Sequence, residues 1–297
     1  MPNRVCELFH IRYPIVMGAI SQTPELAAAI SNAGGLGCMA GAAAPPDLMR
    51  ERIRKFRDLS DKPFCINFPI VLTPEKDLPP KMELMLEEKV PVVITSAGNP
   101  KLWTKYLQDG GVRVAHVLPT LYHAKKAVEA GVDAIIAEPA ESGGYRGDQE
   151  VSMMVLIPAI RRAFPDMPLI AAGAVADGAG LAAVMALGAE GVQLGTRFIV
   201  TVEANAPEHV RKLILAATDT STMSAEGRVK PRVNRPELAQ EVLGEAKRTQ
   251  MGQVSALIDS IKTVEEVMHD LIMGARDTAR DLEAATAALA AGPVAAR

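Results

Sequence analysis

Eight short apolar runs, each stopped by a glycine, a polar or a charged residue and each followed by a longer intervening stretch, set the pattern of the chain. They are Ile15-Val16-Met17, Leu36-Gly37-Cys38-Met39, Phe64-Cys65-Ile66-Asn67, Val92-Val93-Ile94-Thr95, Val114-Ala115-His116-Val117, Ala134-Ile135-Ile136-Ala137, Leu169-Ile170-Ala171-Ala172 and Val192-Gln193-Leu194. Runs this short with no polar alternation read as strands buried on both faces. Segments between them, such as 24–33, 46–59, 124–130 and 178–187, have helical spacing. Asp47 and Asp177 are candidate caps, and Gly34, Gly131 and Gly188 sit where a helix end takes a left-handed residue. Strand and helix in alternation require parallel strands with right-handed crossovers, and eight strands favour a closed (β/α)8 TIM barrel over an open doubly wound sheet. An aromatic content of only 4 % suits close helix-on-sheet packing.

The regular pattern stops near Ile199. Beyond it the chain is more polar, carries Arg228-Val229-Lys230-Pro231-Arg232 and shows no further strand signal, so it reads as a small, mostly helical appendage or lid. Helical spacing returns at 254–261 and 264–283, and the Ala-rich stretch 284–297 is expected to fray. The expected division is a barrel over 1–200, a lid over 201–250 and C-terminal helices over 251–297 that pack back on the barrel. A net charge of −3 supplies no global field for nucleic acid or an anionic membrane. No run approaches the roughly eighteen apolar residues of a membrane span, and no basic segment followed by an apolar one opens the chain. Cys6, Cys38 and Cys65 form no C-x-x-C pair, which points to a reducing, cytoplasmic setting for a soluble, unprocessed protein.

In a parallel barrel the chemistry sits at the C-terminal ends of the strands. There the sequence reads Gly18-Ala19, Asn67, Ser96-Ala97-Gly98, Glu138, Gly173-Ala174 and Gly195-Thr196. Glycine turns after strands seven and eight can present backbone N–H groups to a phosphate, or be ordinary tight turns. The loop after strand six, Glu138-Pro139-Ala140-Glu141-Ser142-Gly143-Gly144-Tyr145-Arg146-Gly147-Asp148, is the most unusual. Gly143-Gly144 would let backbone approach a flat ligand and Tyr145 could place a proton donor above it; the plainer alternative is a flexible surface loop. Gly35-Leu36-Gly37-Cys38-Met39-Ala40 has the letters of a dinucleotide fingerprint but forms a strand where the fingerprint must follow one. The five histidines never fall at metal-ligand spacing, so no metal is expected, and His116 in its apolar run reads as a core residue. Met82, Met85 and Leu86 read as core, with the lining of an acyl channel near the barrel mouth as the alternative, and the 228–235 stretch as either a solvated loop or a phosphate grip.

The chain resembles the flavin-dependent group that contains nitronate monooxygenase (2-nitropropane dioxygenase) and the FMN-containing type II enoyl-acyl-carrier-protein reductases. The likeness rests on Tyr13-Pro14-Ile15 through Gly18, Ala29-Ile30-Ser31-Asn32-Ala33-Gly34-Gly35-Leu36-Gly37, Lys62-Pro63-Phe64 with Asn67, Thr95-Ser96-Ala97-Gly98-Asn99-Pro100, Glu141-Ser142-Gly143-Gly144 and Gly191-Val192-Gln193-Leu194-Gly195-Thr196-Arg197-Phe198. The resemblance implies FMN on the barrel mouth, its phosphate at Gly173-Ala174 and Gly195-Thr196, its ring near Met17, Gly18, Asn67, Glu138 and Gly143-Gly144, with Gln193 in the matched strand-eight segment. It also implies NADH or NADPH as reductant, a small-molecule or acyl-thioester substrate, and a possible homodimer.

Two positions depart from the family pattern, which has His after the double glycine and Gly-Gly after strand seven; here they read Tyr145 and Gly173-Ala174. A tyrosine with pKa about 10 is ionised to only about one part in a thousand at pH 7, so it is a poor base for a nitroalkane. As an acid it suits protonation of the enolate left when hydride adds to an unsaturated carbonyl. The expected activity is therefore enone or enoyl-thioester reduction; oxidation of ready-made nitronates and flavin binding without efficient catalysis are the alternatives. An inosine monophosphate dehydrogenase type of barrel would need a Cys in the strand-six loop, and 138–151 contains none.

Overall fold

The computed structural model of the protein describes residues 3–226 and 230–290. Ten strands are present among them: β1 Ile15–Met17, β2 Gly37–Ala40, β3 Phe64–Pro69, β4 Val92–Ser96, β5 Arg113–Leu118, β6 Ala134–Ala137, β7 Leu169–Ala172, β8 Gly191–Leu194, β9 Thr222–Ser224 and β10 Arg232–Asn234. The helices are α1 Arg4–Phe9, α2 Pro24–Asn32, α3 Pro46–Leu59, α4 Leu78–Glu87, α5 Thr104–Asp109, α6 Leu121–Glu129, α7 Met153–Ala163, α8 Gly178–Ala186, α9 Thr196–Ile199, α10 Glu208–Leu215, α11 Pro236–Leu243 and α12 Val264–Ala290. Strands β1 to β8 are all parallel, in the order β1-β8-β7-β6-β5-β4-β3-β2. A parallel bridge between Val16 and Leu36 joins the two end strands and closes the ring. All eight apolar runs are thus barrel strands, and β1, β6 and β7 have the bounds read from the sequence.

The local signals act as their chemistry requires. Asp177 caps α8 by accepting from the Gly180 N–H at 2.8 Å, and Gly34, Gly131 and Gly188 all have positive φ at helix ends. Asp47 lies inside the first turn of α3, which Pro45 precedes as N-cap. Met82 and Met85 on α4 are fully buried, as expected of core residues. The interior of the barrel and the inner faces of its helices make one apolar cluster, which Val264, Val267, Met268 and Leu271 of α12 join. Helix α12 lies so close to α8 that a Cβ on Gly178 would stand 2.3 Å from the backbone of Gly274 and Ala275.

One expectation changes. Besides α10 and α11, the segment after the barrel contains strands where no strand signal was read: β9 and β10 pair as an antiparallel hairpin with Arg232 opposite Ser224. That hairpin also pairs with the barrel's own loop, since Gly144 and Arg232 form an antiparallel bridge. Of the Ala-rich stretch 284–297, the part up to Ala290 belongs to α12, consistent with alanine's helix propensity, and 291–297 lie outside the described residues. Of the basic stretch, Arg228 lies outside the described residues. Arg232 is no phosphate grip: it is buried, and its guanidinium donates to the Ala140 carbonyl at 3.0 Å and the Thr222 hydroxyl at 3.1 Å. Among the described residues no helix is long and apolar enough to cross a membrane.

Candidate active site

A cavity of about 1320 Å³ opens at the C-terminal ends of the barrel strands. Gly18, Asn67, Glu138, Gly143, Gly144, Tyr145, Gly173, Ala174, Gln193, Gly195 and Thr196 all border it, drawn together from β1, β3, β6, β7, β8 and the turns that follow them. Met17 does not: its side chain is fully buried in the core beside the wall that Gly18 forms. Sequence reasoning missed His116 and His123, which border the cavity from β5 and α6. The signal available was position, since His116 stands in the C-terminal half of its strand.

The turns after β7 and β8 are built to leave donors free. Gly173 has φ +72° and donates its N–H to the Gln193 carbonyl at 2.9 Å, and Ala174 follows at φ +58°. The N–H groups of Ala174, Gly195 and Thr196 then have no acceptor among the described residues. The Thr196 hydroxyl accepts from the Gly252 N–H at 3.1 Å, which keeps its own proton available. Asn67 and Gln193 are nearly buried, yet neither side-chain amide has a partner among the described residues, and both border the cavity. Buried amides in folded proteins are bonded as a rule, so a polar ligand or water must complete these two.

Glu138 follows β6 and accepts a hydrogen bond from the Ser142 hydroxyl at 2.9 Å. Its surface is only partly covered because it borders the cavity, but protein surrounds it closely enough that burial pushes its carboxyl up to about 7. Ser142 and Arg146 oppose that rise without cancelling it. Between its ordinary value near 4.5 and about 7, the folded protein binds a proton the unfolded chain has released, so stability falls as pH rises through that window. In Glu138→Gln that loss should vanish: in thermal unfolding followed from about pH 5 to pH 8, the wild type should lose up to about 3 kcal/mol relative to the variant. Parallel curves for the two proteins would show that Glu138 is ionised throughout.

Tyr145 stands at the cavity lip, 47 % exposed, and its hydroxyl has no hydrogen-bond partner among the described residues. The residues on either side of it are fixed. The Gly144 carbonyl accepts from the Arg232 N–H at 3.0 Å, and buried Arg146 donates to the Ala140 carbonyl at 2.7 Å and to Ser224 of the hairpin. The hairpin thus holds the glycine loop at both flanks while leaving the phenol free, which is not the behaviour of an untethered surface loop.

The sequence matches the nitronate monooxygenase family over residues 3–80 and 72–251, most of its length. The chain belongs to the nitronate monooxygenase family. Within this family setting, the nitronate monooxygenase of Paraburkholderia phytofirmans is 33 % identical over 270 residues, 75 % of this chain and 74 % of the relative. A (3aS,4S,5R,7aS)-5-hydroxy-7a-methyl-1-oxo-octahydro-1H-indene-4-carboxyl-CoA dehydrogenase of Rhodococcus jostii is 36 % identical over 213 residues, 71 % of this chain. The match spans 58 % of that dehydrogenase's length. FabK of Thermotoga maritima superposes with a TM-score of 0.87 at 37 % identity, over 96 % of this chain and 99 % of FabK. The chain thus has a TIM-barrel fold that superposes on FabK's over nearly its whole length.

Proposed function

We propose that the protein is an FMN-dependent, NAD(P)H-oxidising reductase of an α,β-unsaturated carbonyl or enoyl thioester. The observation that carries this reading is the free phenol of Tyr145, held at the lip of a cavity whose walls expose unpaired amides and N–H groups. Those groups suit FMN. The N–H groups of Ala174, Gly195 and Thr196 would bind its phosphate, and the Asn67 and Gln193 amides would meet the polar edge of its ring. The cavity exceeds the roughly 300–1,000 Å³ of a typical small-ligand site, leaving room for a second molecule beside the cofactor. When bound, FMN supplies hydride to an activated carbon. Tyr145 would then give its proton to the enolate carbon or oxygen, a role for which a neutral phenol is suited and a base is not. FabK, a type II enoyl-acyl-carrier-protein reductase, gives the reading its support from similarity.

Oxidation of nitronates is the second reading, favoured by the 33 % identity to the Paraburkholderia enzyme. It needs no base if the nitronate arrives already ionised. Flavin content is the first test for both: the purified protein should be yellow and release FMN, not FAD, on denaturation. A colourless protein that takes up neither flavin on reconstitution would refute both readings.

A further inference from the structure

His116 is the one imidazole buried in the cavity wall, 4 % exposed, and its two nitrogens have different surroundings. Nδ1 lies 2.8 Å from the Thr95 hydroxyl oxygen, its register neighbour on β4. That hydroxyl has one proton and two possible acceptors, Nδ1 at 2.8 Å and the Ala115 carbonyl at 3.5 Å. Donated along the shorter contact, that proton makes Nδ1 the acceptor and puts the ring's own proton on Nε2; in the opposite tautomer Nδ1–H donates to the hydroxyl oxygen and the hydroxyl turns to the Ala115 carbonyl. Nε2 has no partner among the described residues. Nor does it belong with the side-chain nitrogens there that are sealed from solvent without one, which are Trp103 Nε1, Arg146 Nε and Arg197 Nε. It is therefore reached from the cavity.

The strand order gives this N–H its target. The turns with free N–H groups follow β7 and β8, and in the ring of eight β5 stands two strands from β7 and three from β8. A donor on β5 therefore borders the same cavity as those turns without belonging to either of them. We propose that His116 is a substrate-binding residue whose Nε2–H, aligned by Thr95, donates a hydrogen bond to the carbonyl oxygen of the unsaturated substrate and strengthens that bond as the oxygen gains negative charge. No proton leaves the imidazole in this role; the bond polarises the carbonyl, and the proton that completes reduction comes from elsewhere. Burial, with His123 nearby, pushes the His116 imidazolium down to about 4, so the ring is neutral at pH 7 and keeps the single N–H the role needs. The inference rests on the reductase reading for the identity of the oxygen and on the Nε2–H tautomer for the donor, and each has its own readout.

The test uses the flavin-loaded protein with crotonyl-coenzyme A as substrate and butanoyl-coenzyme A as unreactive probe. His116→Phe should lower kcat/KM by about 10²- to 10³-fold, the effect of losing one preorganised donor, with flavin content and reduction by NAD(P)H unchanged. His116→Gln, whose amide N–H reaches a similar place, should recover most of that loss. In wild-type protein labelled with ¹⁵N at its five histidines, the signal that disappears in His116→Gln should show a protonated Nε2 and a bare Nδ1, and Nε2 should shift when butanoyl-coenzyme A is added. Equal kcat/KM in His116→Phe and wild type, or a His116 signal unmoved by saturating probe, would overturn the proposal. Where neither enones nor thioesters are reduced at all, the reductase reading fails by itself and the ¹⁵N shift decides on His116 separately.

Discussion

Tyr145→Phe should slow turnover with an enone or enoyl thioester by about 10²- to 10⁴-fold, the span associated with one general acid. It should leave flavin reduction by NAD(P)H nearly unchanged. The split follows from geometry: the loop flanks at Gly144 and Arg146 are bonded through groups the substitution does not touch, so only the unpartnered hydroxyl is lost. Rapid-mixing measurements of the two half-reactions separate the steps. Tyr145→His should in turn raise activity on neutral nitroalkanes, because an imidazole titrates near neutrality where a phenol does not. If Tyr145→Phe reoxidises with an enone at the wild-type rate, the phenol only shapes the pocket and water or another group, Glu138 foremost, delivers the proton.

Gly173→Val should cost the protein its flavin, with affinity falling by about 100-fold or more. Two effects add. A β-branched residue at φ +72° is strained by about 1–2 kcal/mol. Its Cβ would also stand 2.8 Å from the Ser142 Cα and Cβ, pushing the glycine loop against the turn that would receive the phosphate. Gly131→Val is the control, since Gly131 has φ +77° and nothing within 4 Å of the Cβ position. It carries the backbone strain alone, lies between α6 and β6 away from the cavity, and should lower stability without altering flavin content. Comparable flavin retention in the two variants, measured by dialysis against graded FMN, would move the phosphate away from the turn after β7.

The barrel was legible because its strands are buried on both faces, which leaves uninterrupted apolar runs such as Ala134-Ile135-Ile136-Ala137 that no other pattern mimics. Strand ends were less so: β3 runs on through Phe68 and Pro69, and β5 includes Arg113 and Leu118, because ladder pairing continues past the apolar stretch. The hairpin escaped notice for a related reason. Strands of three residues, Thr-Met-Ser and Arg-Val-Asn, are too short to show alternation, and their stability comes from pairing with Gly144 and from buried Arg232, which reads in sequence as a solvated charge. Most of the candidate site was readable as strand-end residues. His116 was not, because a histidine in an apolar run signals burial but not which nitrogen is left unpaired. Met17 is buried in the core beside Gly18 and does not border the cavity.

The central claim is that this nitronate monooxygenase family member uses bound FMN to reduce a carbon–carbon double bond conjugated to a carbonyl. Anaerobic stopped-flow spectroscopy tests it most directly. The flavin is first reduced with NADH or NADPH, and the reduced protein is then mixed with an enone, an enoyl thioester or a nitronate. The account predicts reoxidation by the unsaturated carbonyl compound without oxygen, with the saturated product formed in equal amount to the flavin. A flavin that stays reduced with every enone and enoyl thioester, yet turns over nitronate when oxygen is admitted, would contradict it.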